Sequence, residues 1–197
     1  MLTFRLAQEK DAPELLQIYA PYVEKTTFSF ECEVPSREEF AGRIKAIGGF
    51  YPYLIAEEEG KILGYAYAHR FAERKAYDWS AEVTVYVEKE RRQNGVGRKL
   101  YEKLLDLLRL QHIVTAYAAV TSSNTASIRF HEKLGFKVAG TYPETGYKFN
   151  QWLGLTWLDL KLVTPPDRPL PICPLKEVDQ AKVQEILCRE ETVAGGC

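Results

Sequence analysis

The sequence predicts an α/β or α+β fold, with helices layered around one central sheet. Three observations carry this. Apolar and β-branched runs of strand type recur along the first 162 residues. Between them lie segments with helical spacing of apolar residues, some opened by capping signals. The chain, at 197 residues, is long enough for one domain with a sizeable core.

Leu2 to Leu6 alternates apolar and polar residues, a strand pattern. Asp11 with Glu14 reads as a capping box, followed at helical spacing by Leu15, Ile18, Tyr19 and Tyr22. Ser36 with Glu39 opens a second helix that turns Phe40, Ile44 and Ile47 inward. Tyr53 to Glu57 and Ile62 to Ala68 read as a hairpin joined by Glu58-Glu59-Gly60. Ala81 to Val87 is the next strand, with Val83, Val85 and Val87 on one face and Glu82, Thr84 and Tyr86 on the other. Leu100, Tyr101, Leu104, Leu105 and Leu108 mark an amphipathic helix. Val114 to Val120 then reads as a strand and Thr125 to Leu134 as a helix. Lys137 to Thr141 and Thr156 to Leu162 complete the set of strands.

A different regime begins at residue 163. Pro165, Pro166, Pro169, Pro171 and Pro174 predict a stiff, extended linker. Leu175 to Glu191 predicts one short helix with Val178, Ala181 and Ile186 on one side, and the last five residues predict disorder. The expected division is a domain over residues 1–162 and a tail over 163–197.

Composition narrows the function classes. The apolar and charged fractions, 46% and 27%, are those of an ordinary globular protein. A net charge of -1 gives no whole-molecule attraction to nucleic acid or anionic lipid. No apolar run nears the ~20 residues that span a bilayer, and the first residues predict no secretory signal. Cys32, Cys173, Cys188 and Cys197 have no metal-ligand spacing. The expectation is a reduced, cytoplasmic protein without metal, acting on neither nucleic acid nor membrane.

Chemistry concentrates around Arg91-Arg92-Gln93-Asn94-Gly95-Val96-Gly97-Arg98-Lys99-Leu100. Two glycines between a β-branched strand and an amphipathic helix form either a plain connection or an anion site at the helix start. The third glycine of a dinucleotide fingerprint and the Gly-Lys-Ser/Thr of a P-loop are both missing. The local pattern leaves both readings open.

Arg92-Gln93-Asn94-Gly95-Val96-Gly97 resembles the pyrophosphate loop, Arg/Gln-x-x-Gly-x-Gly, of the GNAT superfamily of N-acetyltransferases. Asn124-Thr125-Ala126-Ser127-Ile128-Arg129-Phe130-His131 with Gly135-Phe136 resembles that superfamily's second signature. Further segments are similar to the branch acting on phosphinothricin, methionine sulfone and methionine sulfoximine. These include Thr26-Thr27-Phe28-Ser29-Phe30-Glu31, Ala76-Tyr77-Asp78-Trp79-Ser80-Ala81-Glu82 and Gly146-Tyr147-Lys148-Phe149. The resemblance spans residues 2–162. It implies a single GNAT-type domain with a mixed, mostly antiparallel sheet splayed between strands 4 and 5.

It also implies roles. Acetyl-CoA, as co-substrate, would lie on main-chain groups of Val85, Tyr86 and Val87. Its pyrophosphate would be held by the amides of Gln93, Asn94, Gly95, Val96, Gly97 and Arg98, and its pantetheine arm by Asn124, which local sequence reads equally as a helix N-cap. An ammonium must lose its proton before attacking a thioester, and Glu82 is the expected base; the alternative is a solvated glutamate. His131 stands where many members have a tyrosine and would serve as acid or water-mediated base, unless it is structural; Tyr86 and Tyr117 are substitutes. For the acceptor, Glu73 and Arg74 supply charge, Thr84 a hydroxyl and Phe30 a wall. Lys75 reads as a solvated loop residue, His69 and His112 as surface or strand-end residues, and Trp79, Trp152 and Trp157 as packing and interface aromatics.

The expected activity is direct transfer of acetyl from acetyl-CoA to the α-amine of a small amino acid or toxic analogue, since no cysteine sits in a nucleophile setting. Two other readings stand beside it: a different amine acceptor (a protein N-terminus, a polyamine or an aminoglycoside), and a CoA-binding regulator without turnover. The resemblance implies a homodimer.

Overall fold

The strand patterns close into one sheet. In chain order its strands are β1 (Leu2–Leu6), β2 (Tyr53–Glu58), β3 (Lys61–Arg70), β4 (Ser80–Val87), β5 (Thr115–Thr121), β6 (Lys137–Lys148) and β7 (Gln151–Lys161). They lie side by side as β1-β2-β3-β4-β5-β7-β6. The helices are α1 (Ala12–Lys25), α2 (Arg37–Gly48), α3 (Val96–Leu110), α4 (Thr125–Lys133) and α5 (Gln180–Cys188). The structure, a computed structural model, describes residues 1–91 and 95–189.

Neighbouring strands run antiparallel except β4 and β5, which are parallel and linked by the α3 crossover. That one pair is also incomplete. Ser80, Ala81 and Glu82 pair with Thr115, Ala116 and Tyr117, and beyond Glu82 the two strands part. The mixed, splayed sheet is the expected one.

Turn chemistry explains the hairpins. Glu59 and Gly60 both have positive φ, 51° and 78°, the geometry of a two-residue turn between β2 and β3. Phe149 and Asn150, at 51° and 59°, do the same between β6 and β7. Those two arms are longer than expected. Pro143 and Gly146 fall where the β6–β7 register shifts between Tyr142 and Gly146, so the irregularity is absorbed inside the strand.

Two cap readings hold and one is corrected. Ser36 Oγ accepts from the Glu39 N–H at 3.0 Å, and Asn124 Oδ1 accepts from the Ser127 N–H at 3.2 Å. Asp11 does not pair with Glu14. Its carboxylate takes the Gln8 N–H at 2.8 Å and the Arg5 guanidinium at 2.7 and 3.0 Å, tying the start of α1 to β1.

The sheet separates two apolar layers. On one side Leu100, Leu104 and Leu108 of α3 pack against Val83, Val87 and Leu158. On the other, Leu15, Tyr19, Phe40 and Ile44 of α1 and α2 cover Ile55 and Tyr65. The alternation of β4 therefore has a use on each face: valines meet α3, and Tyr86 meets the rings of Tyr19 and Tyr22.

The tail corrects a second expectation. Residue 162 ends the sheet, yet the core continues: Leu175, Val183 and Leu187 are buried with the α3 layer. Of the residues expected on one side, Val178 and Ile186 pack partly buried against this core, while Ala181 is exposed. Lys103 of α3 is fully buried and donates from Nζ to the carbonyls of Ile186 and Arg189 at 2.7 and 2.9 Å, placing a cation at the C-terminal end of α5. Trp79 Nε1 donates to Leu170 O at 2.7 Å, and Gln111 Nε2 to Phe50 O and Cys173 O, both at 2.8 Å. The expected disordered end, 193–197, lies outside the described residues.

Candidate active site

The gap between β4 and β5 exposes specific backbone groups. Along a strand the N–H and C=O of successive residues point alternately to the two sides. Glu88 N–H donates to Leu63 O at 2.8 Å, toward β3, while Trp79 O accepts from Val114 and Thr115 N–H at 2.8 and 3.1 Å, toward β5. By the same alternation Val83, Val85 and Val87 point their backbone into the gap. Side chains already engage two of them. Tyr101 Oη lies 3.1 Å from Val83 O, and the Tyr22 hydroxyl donates to Val87 O at 2.6 Å and accepts from Val87 N–H at 3.2 Å. Between these plugs lie the N–H and C=O of Val85. Tyr86 turns its main chain to β3, which corrects its expected main-chain role; its ring lines the cleft instead.

The cleft runs on from Val85 along the inner side of α4. Tyr22, Phe28, Thr84, Tyr101, Ser127 and His131 line it. Near the end of β4 stands the first turn of α3. Gly95 adopts φ 78° as its N-cap, and no side chain of the described residues caps the helix, so the N–H groups of Val96 and Gly97 face outward at the positive end of the dipole. A β-carbon at Gly97 would lie 3.3 Å from Val87 Cγ2; the second glycine lets the helix start press on the end of β4. Gln93 and Asn94 lie outside the described residues. Arg98 pairs its side chain with Glu102 at 2.7 Å. Asn124, its Oδ1 taken by the cap, has a carboxamide nitrogen to donate.

Glu82 is the last residue of β4 paired with β5, so its carboxylate stands where the gap opens. Burial raises its pKa, and the positive charge of His69 acts against that rise. His69, read from sequence as a surface or strand-end residue, is its direct partner across β3, with Nε2 3.8 Å from Glu82 Oε2. That signal was absent from local sequence because it depends on register.

His131 is buried, and burial lowers its pKa. Its Nδ1 lies 2.8 Å from Ser127 O, so Nδ1 carries the proton and donates. Nε2 then accepts from the Tyr101 hydroxyl at 2.9 Å. His131 and Tyr101 thus form one unit on the cleft wall. Tyr101 passed in the sequence for an apolar residue of the helix stripe. Tyr117, the other substitute, stacks on Phe71 with ring centroids 4.2 Å apart.

Acceptor-side residues surround the same opening. Thr84 lines the cleft and stands opposite Tyr67 in the β3–β4 ladder. Phe28 lines the cleft, whereas Phe30 lays its ring on Gly146. The loop that carries both is pinned by Thr121 Oγ1 donating to Thr27 O at 2.6 Å and Lys148 Nζ donating to Ser29 O at 2.8 Å. Glu73 and Arg74 are exposed on the β3–β4 connection, ahead of the short helical turn Lys75–Tyr77. Among the described residues no group of His, Cys, Asp and Glu could hold a metal ion.

Comparison with known proteins agrees with this geometry. The acetyltransferase (GNAT) domain family matches residues 4–157. A phosphinothricin N-acetyltransferase of Streptomyces viridochromogenes is 35% identical over 168 residues, covering 84% of this chain and 91% of that relative. An L-methionine sulfoximine/L-methionine sulfone acetyltransferase of Salmonella typhimurium is 33% identical, covering 82% of this chain and 95% of its own. A crystal structure of a phosphinothricin acetyltransferase from Sinorhizobium meliloti in complex with acetyl-CoA superposes with a TM-score of 0.80 at 30% identity, covering 88% of this chain and 98% of the other.

Proposed function

The chain belongs to the acetyltransferase (GNAT) family and is an acetyl-CoA-dependent N-acetyltransferase; from that premise we propose that its acceptor is the α-amine of a small amino acid or toxic analogue. Phosphinothricin, methionine sulfone and methionine sulfoximine are the named members of that class, after the substrates in the relatives' names.

One observation carries the reading: Glu82 holds a partly buried carboxylate at the last β4 position paired with β5, three residues before Val85 on the same strand. Acetyl-CoA supplies the thioester when bound. The residues present fit it: a strand edge at Val85 to meet amide groups, and a helix start at Val96 and Gly97 to meet an anion. Gln93, Asn94, Gly95 and Arg98 complete the proposed phosphate loop, and Asn124 donates its carboxamide. Glu82 takes the ammonium proton, and a pKa raised by burial suits it to that task near neutral pH. Tyr101, whose hydroxyl proton rests on His131 Nε2, would turn that proton from the imidazole to the leaving sulfur. Arg74 and Glu73 would meet the acceptor's carboxylate and ammonium, with Thr84, Phe28 and Phe30 as its wall.

A homodimer and a cytoplasmic setting belong to the same proposal. Supporting the first, Tyr142, Tyr147, Phe149 and Trp152 are exposed on the β6–β7 hairpin, where β6 is the outer strand of the sheet. Supporting the second, Cys32, Cys173 and Cys188 are free thiols.

The test is thiol release from acetyl-CoA with each of the three acceptors, with the N-acetyl product identified by mass spectrometry. Turnover with at least one supports the proposal. Turnover only with polyamines, aminoglycosides or peptide N-termini would move the acceptor to another class and leave the family assignment intact.

A further inference from the structure

We propose that His69 is the proton exit of this active site, relaying to solvent the proton that Glu82 takes from the acceptor ammonium. The inference rests on the reading of Glu82 as the base.

The reaction makes such an exit necessary. The ammonium first gives a proton to Glu82. The amine nitrogen then bonds to the acetyl carbon as the C–S bond breaks, and the second nitrogen proton ends on the departing sulfur. An ammonium and a thioester have become an amide, a thiol and one free proton. That proton sits on a partly buried carboxyl, which must empty before the next cycle. Glu82 is flanked by β3 and β5, so its route out runs through neighbouring side chains or water.

His69 stands on that route. It is directly opposite Glu82 in the antiparallel β3–β4 ladder, where side chains share one face. Its Nδ1 lies 3.0 Å from Arg70 O, so Nδ1 keeps its hydrogen as a donor and Nε2 carries the lone pair. Nε2 is the atom turned to Glu82, 3.8 Å from Oε2, a separation that one water or a small side-chain rotation closes. The His69 side chain is 37% exposed against 22% for Glu82, so the step from carboxyl to imidazole is also a step toward solvent. Imidazole exchanges protons readily near neutral pH. The groups around it do not compete for the role: Tyr67 presents a ring at 6.0 Å, and the Arg70 guanidinium is paired with Asp78 at 2.6 Å.

The decisive variant is His69→Gln, which keeps a polar side chain of similar reach and cannot take up the proton. With any acceptor the wild type uses, kcat should fall on the order of 10²-fold, the low end for an acid–base group. KM for acetyl-CoA should stay unchanged, and free imidazole added to the assay should restore the rate. Wild-type rates across pH and buffer concentration, or a loss that imidazole leaves unrestored, would overturn the relay. A measurement independent of the acceptor accompanies it: the titration of the Glu82 carboxyl by carbon NMR. Its midpoint should rise in His69→Gln, because the imidazolium that forms beside it whenever His69 takes up a proton can no longer form; an unchanged midpoint means the two groups are uncoupled and sinks the proposal. Failure of the acceptor reading shows differently, as wild-type protein inactive toward the small amino acids while the NMR coupling persists.

Discussion

The ring of Phe30 rests on the backbone of Gly146, so close that a β-carbon at 146 would stand 2.5 and 2.7 Å from two of its carbons. A strand far away in sequence, β6, therefore sets where the acceptor loop lies. Gly146→Ala must displace the ring, since overpacking is relieved by moving the softer partner, at a cost of ~1–3 kcal/mol. We expect a several-fold higher KM for the acceptor with KM for acetyl-CoA nearly unchanged. A variant with both constants at wild-type values would show that the Phe30 ring is no part of the acceptor wall.

Glu82→Gln should lower kcat by ~10²–10⁴, the range for a positioned general base. In wild type, kcat/KM for the acceptor should rise with pH through a midpoint above the ordinary carboxylate range, because burial raises the Glu82 pKa; in the variant that limb should vanish. Stability carries the opposite sign. A carboxyl raised in the folded state contributes stability below its unfolded pKa, near the ordinary 4.5, and loses it as pH rises through the folded value. Glu82→Gln should thus be more stable than wild type at neutral pH, with the difference closing in acid. Denaturant titrations at the two pH values measure it.

His131 gives a pH dependence in the other direction. Burial depresses its pKa below 6.5, opposed by the bond to Ser127 O, so the folded state prefers the neutral ring. Its contribution is present above 6.5 and lost as pH falls through the depressed value. His131→Gln should flatten the loss of stability in mild acid. It should also lower kcat, because the Tyr101 hydroxyl loses its acceptor. Tyr101→Phe should lower kcat similarly while the acid sensitivity of His131 remains, which separates the chemical role from the structural one.

Local sequence was enough for the strand alternation of Ala81 to Val87, the Ser36 cap and the glycine-bearing turn, because each depends on residues a few positions apart. The splay was legible only through resemblance. What escaped depends on register and packing across the fold: His69 opposite Glu82, Tyr101 beneath His131, and the Tyr22 hydroxyl on the backbone of Val87. A tyrosine in an apolar stripe looks the same whether its hydroxyl meets water or a histidine. The β6 and β7 arms run beyond the expected strands because a register irregularity carries Pro143 and Gly146 inside β6. For the tail, Val178 and Ile186 do pack on the core but Val183 and Leu187 were missed and Ala181 is exposed, since a nine-residue helix gives too few turns for periodicity to choose.

The tail offers the last test. Truncation after Val163 removes three aliphatic side chains that are each at most 5% exposed, Leu175, Val183 and Leu187, at ~1.5–3 kcal/mol apiece. That approaches the whole stability of an ordinary domain, ~5–15 kcal/mol. It also strips the Lys103 ammonium of the carbonyls of Ile186 and Arg189 and leaves it over the Phe4 ring, 4.8 Å from its centroid. The truncated chain should unfold at a much lower temperature or fail to accumulate. Lys103→Met isolates the polar part: it keeps the packing, gives up two charge-assisted hydrogen bonds, and should cost ~1–3 kcal/mol. Because α3 carries both Lys103 and the helix start at Val96, acetyl-CoA binding by calorimetry should weaken in step with stability. A truncated protein with the wild-type melting temperature and undiminished acetyl-CoA affinity would mean that the tail merely covers α3 and does not brace it.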